Sequence, residues 1–206
     1  MKKILLFLAV TFSTASYSQL TDANFQQAVD ECLATNPVDG LCTNSEYGAM
    51  PDWDVSKVTD MDRAFDGRDV FNVDISNWDV SNVTNMSSMF INATSFNQPL
   101  NNWNVSNVTN MFQMFTIASV FNQDLNSWDV SSVTNMSSMF FYATSFNQSL
   151  NNWGISSVIN MQEMFSYSSL STDNYDGVLN SWSQQDVISG VILRAIGVNY
   201  CNGEDA

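Results

Sequence analysis

From Trp53 onward single apolar residues alternate with short polar stretches in a fixed order. The segment Trp78-Asp79-Val80-Ser81-Asn82-Val83-Thr84-Asn85-Met86 recurs as Trp103-Asn104-Val105-Ser106-Asn107-Val108-Thr109-Asn110-Met111 and as Trp128-Asp129-Val130-Ser131-Ser132-Val133-Thr134-Asn135-Met136. Tryptophans stand at 53, 78, 103, 128 and 153, 25 residues apart, and a sixth follows after 29 residues at 182. Self-similarity at such a period means one supersecondary unit stacked on copies of itself. Counted from each Trp, the apolar columns are Val55/Val80/Val105/Val130/Ile155, then Val58/Val83/Val108/Val133/Val158 and Met61/Met86/Met111/Met136/Met161. Ala64/Met89/Met114/Met139/Met164, Phe65/Phe90/Phe115/Phe140/Phe165, Phe71/Phe96/Phe121/Phe146 and Ile75/Leu100/Leu125/Leu150/Leu179 complete them. These columns are the predicted core.

Leu100-x-x-Trp103-x-Val105 ends in strict alternation, the mark of a short strand with Leu, Trp and Val inward and Asn104 outward. Met111-x-x-Met114-Phe115 has three-to-four spacing and predicts one or two helical turns. The expectation is an α/β repeat solenoid, a stack of short parallel strands and short helices with rungs about 5 Å apart. Ahead of it, Leu20 to Leu33 reads as an amphipathic capping helix with Thr21 or Asp22 as its cap and Phe25, Ala28, Val29, Cys32 and Leu33 on one face. Ala34 to Pro51, with its Gly and Pro, is a turn-rich connector, and Val187 to Leu193 reads as a C-terminal cap.

The pattern Leu-x-x-Trp-x-Val looks like the strand of leucine-rich repeats. The longer string Trp-Asp-Val-Ser-x-Val-Thr-Asn-Met-x-x-Met-Phe, followed by Phe-Asn-Gln, resembles the BspA-like bacterial surface-protein repeat, also called DUF285 or the mycoplasma-lipoprotein-type repeat, over residues 51–182. That resemblance implies a leucine-rich-repeat-like scaffold, secretion or display at a bacterial cell surface, adhesion-type binding and no catalytic residues. The expected domains are a signal peptide at 1–18, the cap helix and connector at 19–50, a five-coil repeat region at 51–182 and a C-terminal capping segment at 183–206.

Lys2-Lys3, the apolar run from Ile4 to Phe12, and Ser16-Tyr17-Ser18 form a secretory leader with a cut after Ser18, too short to remain as a membrane span. No Cys follows the apolar run, so the acceptor of a bacterial lipoprotein is not in place there. Export makes a Cys32–Cys42 disulfide the expected pairing of the three cysteines, with Cys201 either free or bonded outside this chain. Six basic against twenty-one acidic residues give a net charge of −15, which argues against nucleic acid as a partner.

The sequence contains no histidine, which removes His-based general-base and nucleophile-activating chemistry and the commonest zinc ligand. No cofactor is expected, and a two-carboxylate carbohydrate-active enzyme is a distant third reading. Asp54, Asp79 and Asp129, with Asn104 between, form an outward column that is either a turn ladder, each side chain bonding its own backbone, or a row of ligands for calcium or sugar hydroxyls. Asp60, Asp62, Asp66 and Asp69 crowd the first unit and are the better calcium candidates. The Asn columns at 85/110/135/160 and 72/97/122/147 read as structural hydrogen-bond ladders. Where the copies disagree, Phe141, Tyr142 and Tyr167 fall on adjacent coils. They either form an exposed aromatic patch for a protein or glycan partner or tuck against the next coil. The expected function is a non-enzymatic, monomeric interaction module; the alternative is an architectural spacer displaying a neighbouring domain.

Overall fold

The computed structural model describes residues 17–42 and 44–200. All but the last two residues of the expected signal peptide lie outside them, as do Cys201 and the remainder of the expected C-terminal cap. Two α-helices are present among the described residues, α1 at Phe25–Thr35 and α2 at Thr172–Trp182, with one 3-10 turn at Met50–Asp52. Between them the chain is turn and coil.

The expected α/β repeat solenoid does not form. No strand is found among the described residues; parallel contact is reduced to isolated bridges, Asp60 to Asn85 to Asn110 to Asn135 to Asn160, with a last one between Met161 and Leu193. The segment read as a strand is instead a pair of turns, the Trp103 amide closing on the Leu100 carbonyl and the Val108 amide on the Val105 carbonyl at 3.0 and 2.9 Å. The segment read as helical is a chain of further turns: Met114 to Met111, Thr116 to Gln113 and Ala118 to Phe115. The intervening amides of Met111, Gln113, Phe115 and Ile117 point along the stack, to the carbonyls of Asn135, Ser137, Met139 and Phe141 at 2.8–3.0 Å. A right-handed helix cannot propagate here, because Gln113 and Ile117 sit at φ 55° and 60°. The same left-handed positions recur in every coil, at Arg63, Ser88, Ser138 and Glu163 and at Gly67, Asn92, Tyr142 and Tyr167.

An apolar pair three residues apart flanks each turn, so both members point inward. The Trp, Val, Met, Met and Phe columns are buried, most of them completely. Successive Phe rings stack at 5.4–5.9 Å along the Phe65 to Phe165 column, each also lying 3.9–4.1 Å from a Phe of its own coil through Phe146. Each buried ring contributes about 1.5–3 kcal/mol relative to exposure. The tryptophans add a buried polar staple. Nε1 of Trp78, Trp103, Trp128 and Trp153 donates at 2.9–3.1 Å to the carbonyl of Met50, Ile75, Leu100 and Leu125. Each of these carbonyls also receives the amide of the Trp in its own coil, so both lone pairs are used. Trp182, shifted by the longer last step, lies in α2, and its indole N–H finds no acceptor among the described residues.

Polar columns bind the coils at their surface. The amides of Asn97, Asn122 and Asn147 donate to Oδ1 of Asn72, Asn97 and Asn122, and Gln98, Gln123 and Gln148 to the carbonyls of those same residues. At the end of the column α2 takes over: the Ser171 amide and the Asn174 side chain occupy the two roles on Asn147. Cys32 and Cys42 are disulfide-bonded, with Cα atoms 5.3 Å apart, tying α1 to the connector.

Candidate functional site

The two acidic features suggested by the sequence make local hydrogen bonds and ion pairs in this fold. Oδ1 of Asp54, Asp79 and Asp129, and of Asn104, accepts the amide of the serine two residues on at 3.0–3.2 Å. The Ser56 side chain, and then its amide, hold the Asp54 carboxyl below the ordinary carboxylate range, and Ser131 does the same for Asp129. The column is thus a ladder of local turns, as expected from the turn preference of Asp and Asn. Of the calcium candidates, Asp60 receives the Asp62 amide and the Asn85 side chain, both at 2.9 Å. Asp66 is paired with Arg63 at 2.7 Å, and Asp62 approaches the same guanidinium at 4.0 Å. No three metal-binding side chains converge among the described residues, and the crowding of Asp60, Asp62, Asp66 and Asp69 in sequence does not become a cage in space.

The aromatic residues do come together. Tyr142 and Tyr167 occupy the same place in neighbouring coils, where the Tyr142 amide bonds the Ser166 carbonyl and the Tyr167 amide the Ile196 carbonyl. Their rings lie 4.6 Å apart and nearly parallel. Phe141 meets both edge-on, at 4.9 and 5.8 Å. Tyr142 is 44% exposed and Tyr167 41%, so the two readings offered by the sequence merge: the rings pack on one another across coils and still face solvent.

Sequence reasoning missed the residues that extend this cluster. Ile117 lies one coil earlier in the same column and is exposed; Ile196 lies one rung later and is exposed. The signal was in the column Gly67, Asn92, Ile117, Tyr142, Tyr167, all at positive φ. Gly and Asn adopt that conformation readily, whereas for a β-branched or bulky residue it costs of order 1–2 kcal/mol. Glycine would relieve the backbone at Ile117, Tyr142 and Tyr167; large apolar side chains are there in spite of it. Strain of this kind concentrates at binding surfaces.

The profile of a family described as "Mycoplasma protein of unknown function, DUF285" matches residues 40–135 and, in a second overlapping placement, 102–191. No curated protein and no solved structure matches the chain.

Proposed function

The chain belongs to the DUF285 family, and from that premise we propose that it is a non-enzymatic binding module of the BspA-like surface-protein kind, exported from a bacterial cell, which holds a protein or glycan through Phe141, Tyr142 and Tyr167. The observation that carries this reading is the cluster of three rings, Phe141 half-buried and Tyr142 and Tyr167 exposed, the two tyrosines on strained backbone where the sister coils have Gly67 and Asn92. Tyrosine supplies large contact area with a polar tip and little entropy to lose, which suits a recognition surface. Export is supported by the leader-like residues 1–18 and by the Cys32–Cys42 bridge, since disulfides persist in oxidising compartments.

The test is an array of glycans and extracellular-matrix proteins probed with the wild-type chain and with a Tyr142→Ser/Tyr167→Ser variant. Binding by the wild type that falls at least about tenfold in the variant, with an unchanged far-ultraviolet circular dichroism spectrum, is the expected outcome. Equal binding by both chains would remove the site, and silence across the whole array would favour a spacer.

A further inference from the structure

The aromatic cluster is the middle of a longer feature. Ile117, Tyr142, Tyr167 and Ile196 follow one another up the stack, where the amides of Ile117, Tyr142 and Tyr167 donate to the carbonyls of Phe141, Ser166 and Ile196 at 2.7–3.0 Å. All four side chains are exposed. Three rung spacings make a ridge roughly 14 Å long and one side chain wide. Such a ridge is far smaller than the roughly 800 Å² a side that a stable protein contact buries, but it is long enough for several units of a chain polymer laid along the stack.

Charge decides what kind of polymer. The chain holds twenty-one acidic and six basic residues, yet none lies in 80–123 or in 130–162. Between those stretches Asp124 and Asp129 each accept a backbone amide, in the turns on either side of Trp128. Asp66, Arg68 and Asp69 of the first coil are set apart from Ile117 by the coil of Asn92, which carries no charge from residue 80 on. At the other end of the ridge Glu163 and Arg194 pair with each other at 3.0 Å. A charged ligand would leave water here with no free opposite charge to meet it, whereas a neutral one has no such cost.

The flank of the ridge is polar without being charged. Ser119, Thr144 and Ser169 stand two residues after Ile117, Tyr142 and Tyr167, and each hydroxyl donates to the carbonyl of the residue one coil earlier. With its proton engaged there, each hydroxyl oxygen is held as an acceptor, the partner that an alcohol group needs. The phenols of Tyr142 and Tyr167 both donate and accept. A sugar ring offers the matching surface, an apolar face of C–H groups rimmed by hydroxyls, and tyrosine meets it with an apolar body and a polar tip.

Resting on the binding function proposed above, we infer that the ligand is a neutral polysaccharide, lying along the ridge from Ile117 to Ile196. Its apolar sugar faces pack on the four side chains, and its hydroxyls bond the two phenols and the flanking hydroxyl oxygens.

Biolayer interferometry on the immobilised chain, purified after export, tests it. The probes are the neutral polymers hydroxyethyl cellulose, laminarin, mannan and dextran, the charged polymers carboxymethyl cellulose, alginate and chondroitin sulfate, and the proteins collagen and gelatin. At least one neutral polymer should bind, with a Kd that changes less than about twofold between about 50 mM and about 500 mM NaCl, because no ion pair is there to be screened. Tyr142→Ser/Tyr167→Ser should raise that Kd at least about tenfold. Ile117→Asn, which places on the left-handed backbone the residue that Asn92 supplies one coil earlier, shortens the ridge by a rung and should raise it about threefold. An unchanged far-ultraviolet circular dichroism spectrum confirms folding of both variants. A charged polymer or a protein bound through the two tyrosines, with every neutral polymer silent, overturns the neutral-glycan inference and leaves the binding site standing. So does neutral-polymer binding that salt abolishes. Binding that the tyrosine variant keeps in full, or silence across all the probes, removes the aromatic site and the inference with it.

Discussion

At the first coil a carboxylate stands where a preceding coil would be. Inside the stack the amides of Thr84, Thr109, Thr134 and Ile159 donate back to the carbonyl of the residue one coil earlier. Thr59 has no earlier coil, and Asp22 supplies the acceptor: Oδ1 takes the Thr59 amide at 2.7 Å and the Asp60 amide at 3.1 Å, and Oδ2 takes the Thr59 hydroxyl at 2.7 Å. At the last coil Gln185 does the equivalent work on another edge, accepting from the Ile155 amide at 2.8 Å and donating to the Trp153 carbonyl at 2.9 Å. The first end exposes donors and is met by a group that only accepts; the last exposes one of each and is met by an amide that does both. A repeat can be copied without limit, but each end of it needs its own chemistry.

The largest difference between the ends should come from covalent tying, which only the N-terminal end has among the described residues. Replacing Cys32 and Cys42 together by Ser should cost about 2–4 kcal/mol. In denaturant titration followed by amide exchange, the loss should concentrate in α1 and the connector, while the amides of the third to fifth coils keep their protection. Uniform loss of protection would mean that the stack unfolds as one unit and that its ends are not separately held.

Next come the two polar caps. Gln185 serves backbone groups of the buried Trp153 and Ile155, so Gln185→Ala leaves a poorly hydrated amide and carbonyl unpaired and should cost about 2 kcal/mol. Asp22 serves Thr59 and Asp60 at an exposed edge, where water can replace it, so Asp22→Ala should cost about 1 kcal/mol. Urea midpoints of the two variants check the order; a larger loss at Asp22 would show that its carboxylate, not the hydrophobic contacts of α1, holds the first coil in place.

The inward residues were legible in the sequence and the backbone that carries them was not. Apolar positions three apart, such as Leu100 and Trp103 or Met111 and Met114, are common to a helix and to a run of tight turns, and periodicity alone does not separate them. The deciding fact is left-handed backbone at Arg63, Ser88, Gln113, Ser138 and Glu163, none of them a glycine that would have announced it. Gly67 and Asn92 did announce the second left-handed position, but Ile117, Tyr142 and Tyr167 in the same column masked the signal. The aromatic cluster was legible because it lies where copies disagree. The role of Asp22 was not: it reads as a cap for the helix beginning nearby, whereas its side chain turns to Thr59, 37 residues away. Long-range pairing of this sort leaves no local pattern.

The smallest effect separates the two ends by pH. At Asp22 burial opposes ionisation, but the Thr59 hydroxyl and the Thr59 and Asp60 amides outweigh it; at Asp54 and Asp74 the serine two residues on favours the carboxylate. All three carboxyls lie below the ordinary 3.8 and belong to the N-terminal side, and of those so held among the described residues only Asp129 lies in a later coil. A lowered native pKa contributes stability in full above the unfolded value and loses it as pH falls through the native one, so acid should loosen the N-terminal end first. Tyr175 in α2 has the opposite sign. Burial, followed by the charges of Tyr200 and Asp176, raises its phenol above 10.0. Its contribution is complete below that pH and is lost as pH rises through the native value, so alkali should loosen α2; Tyr47 in the connector, raised by burial and then by Glu46, adds an alkaline loss at the N-terminal end that Tyr175→Phe leaves in place. Denaturation midpoints followed from about pH 2.5 to about pH 11 should therefore show an acid limb that shrinks in Asp22→Asn/Asp54→Asn/Asp74→Asn and an alkaline limb that shrinks in Tyr175→Phe. If the three Asn substitutions flatten the alkaline limb, or Tyr175→Phe the acid one, the two caps are coupled through the stack, and the local account of their chemistry fails.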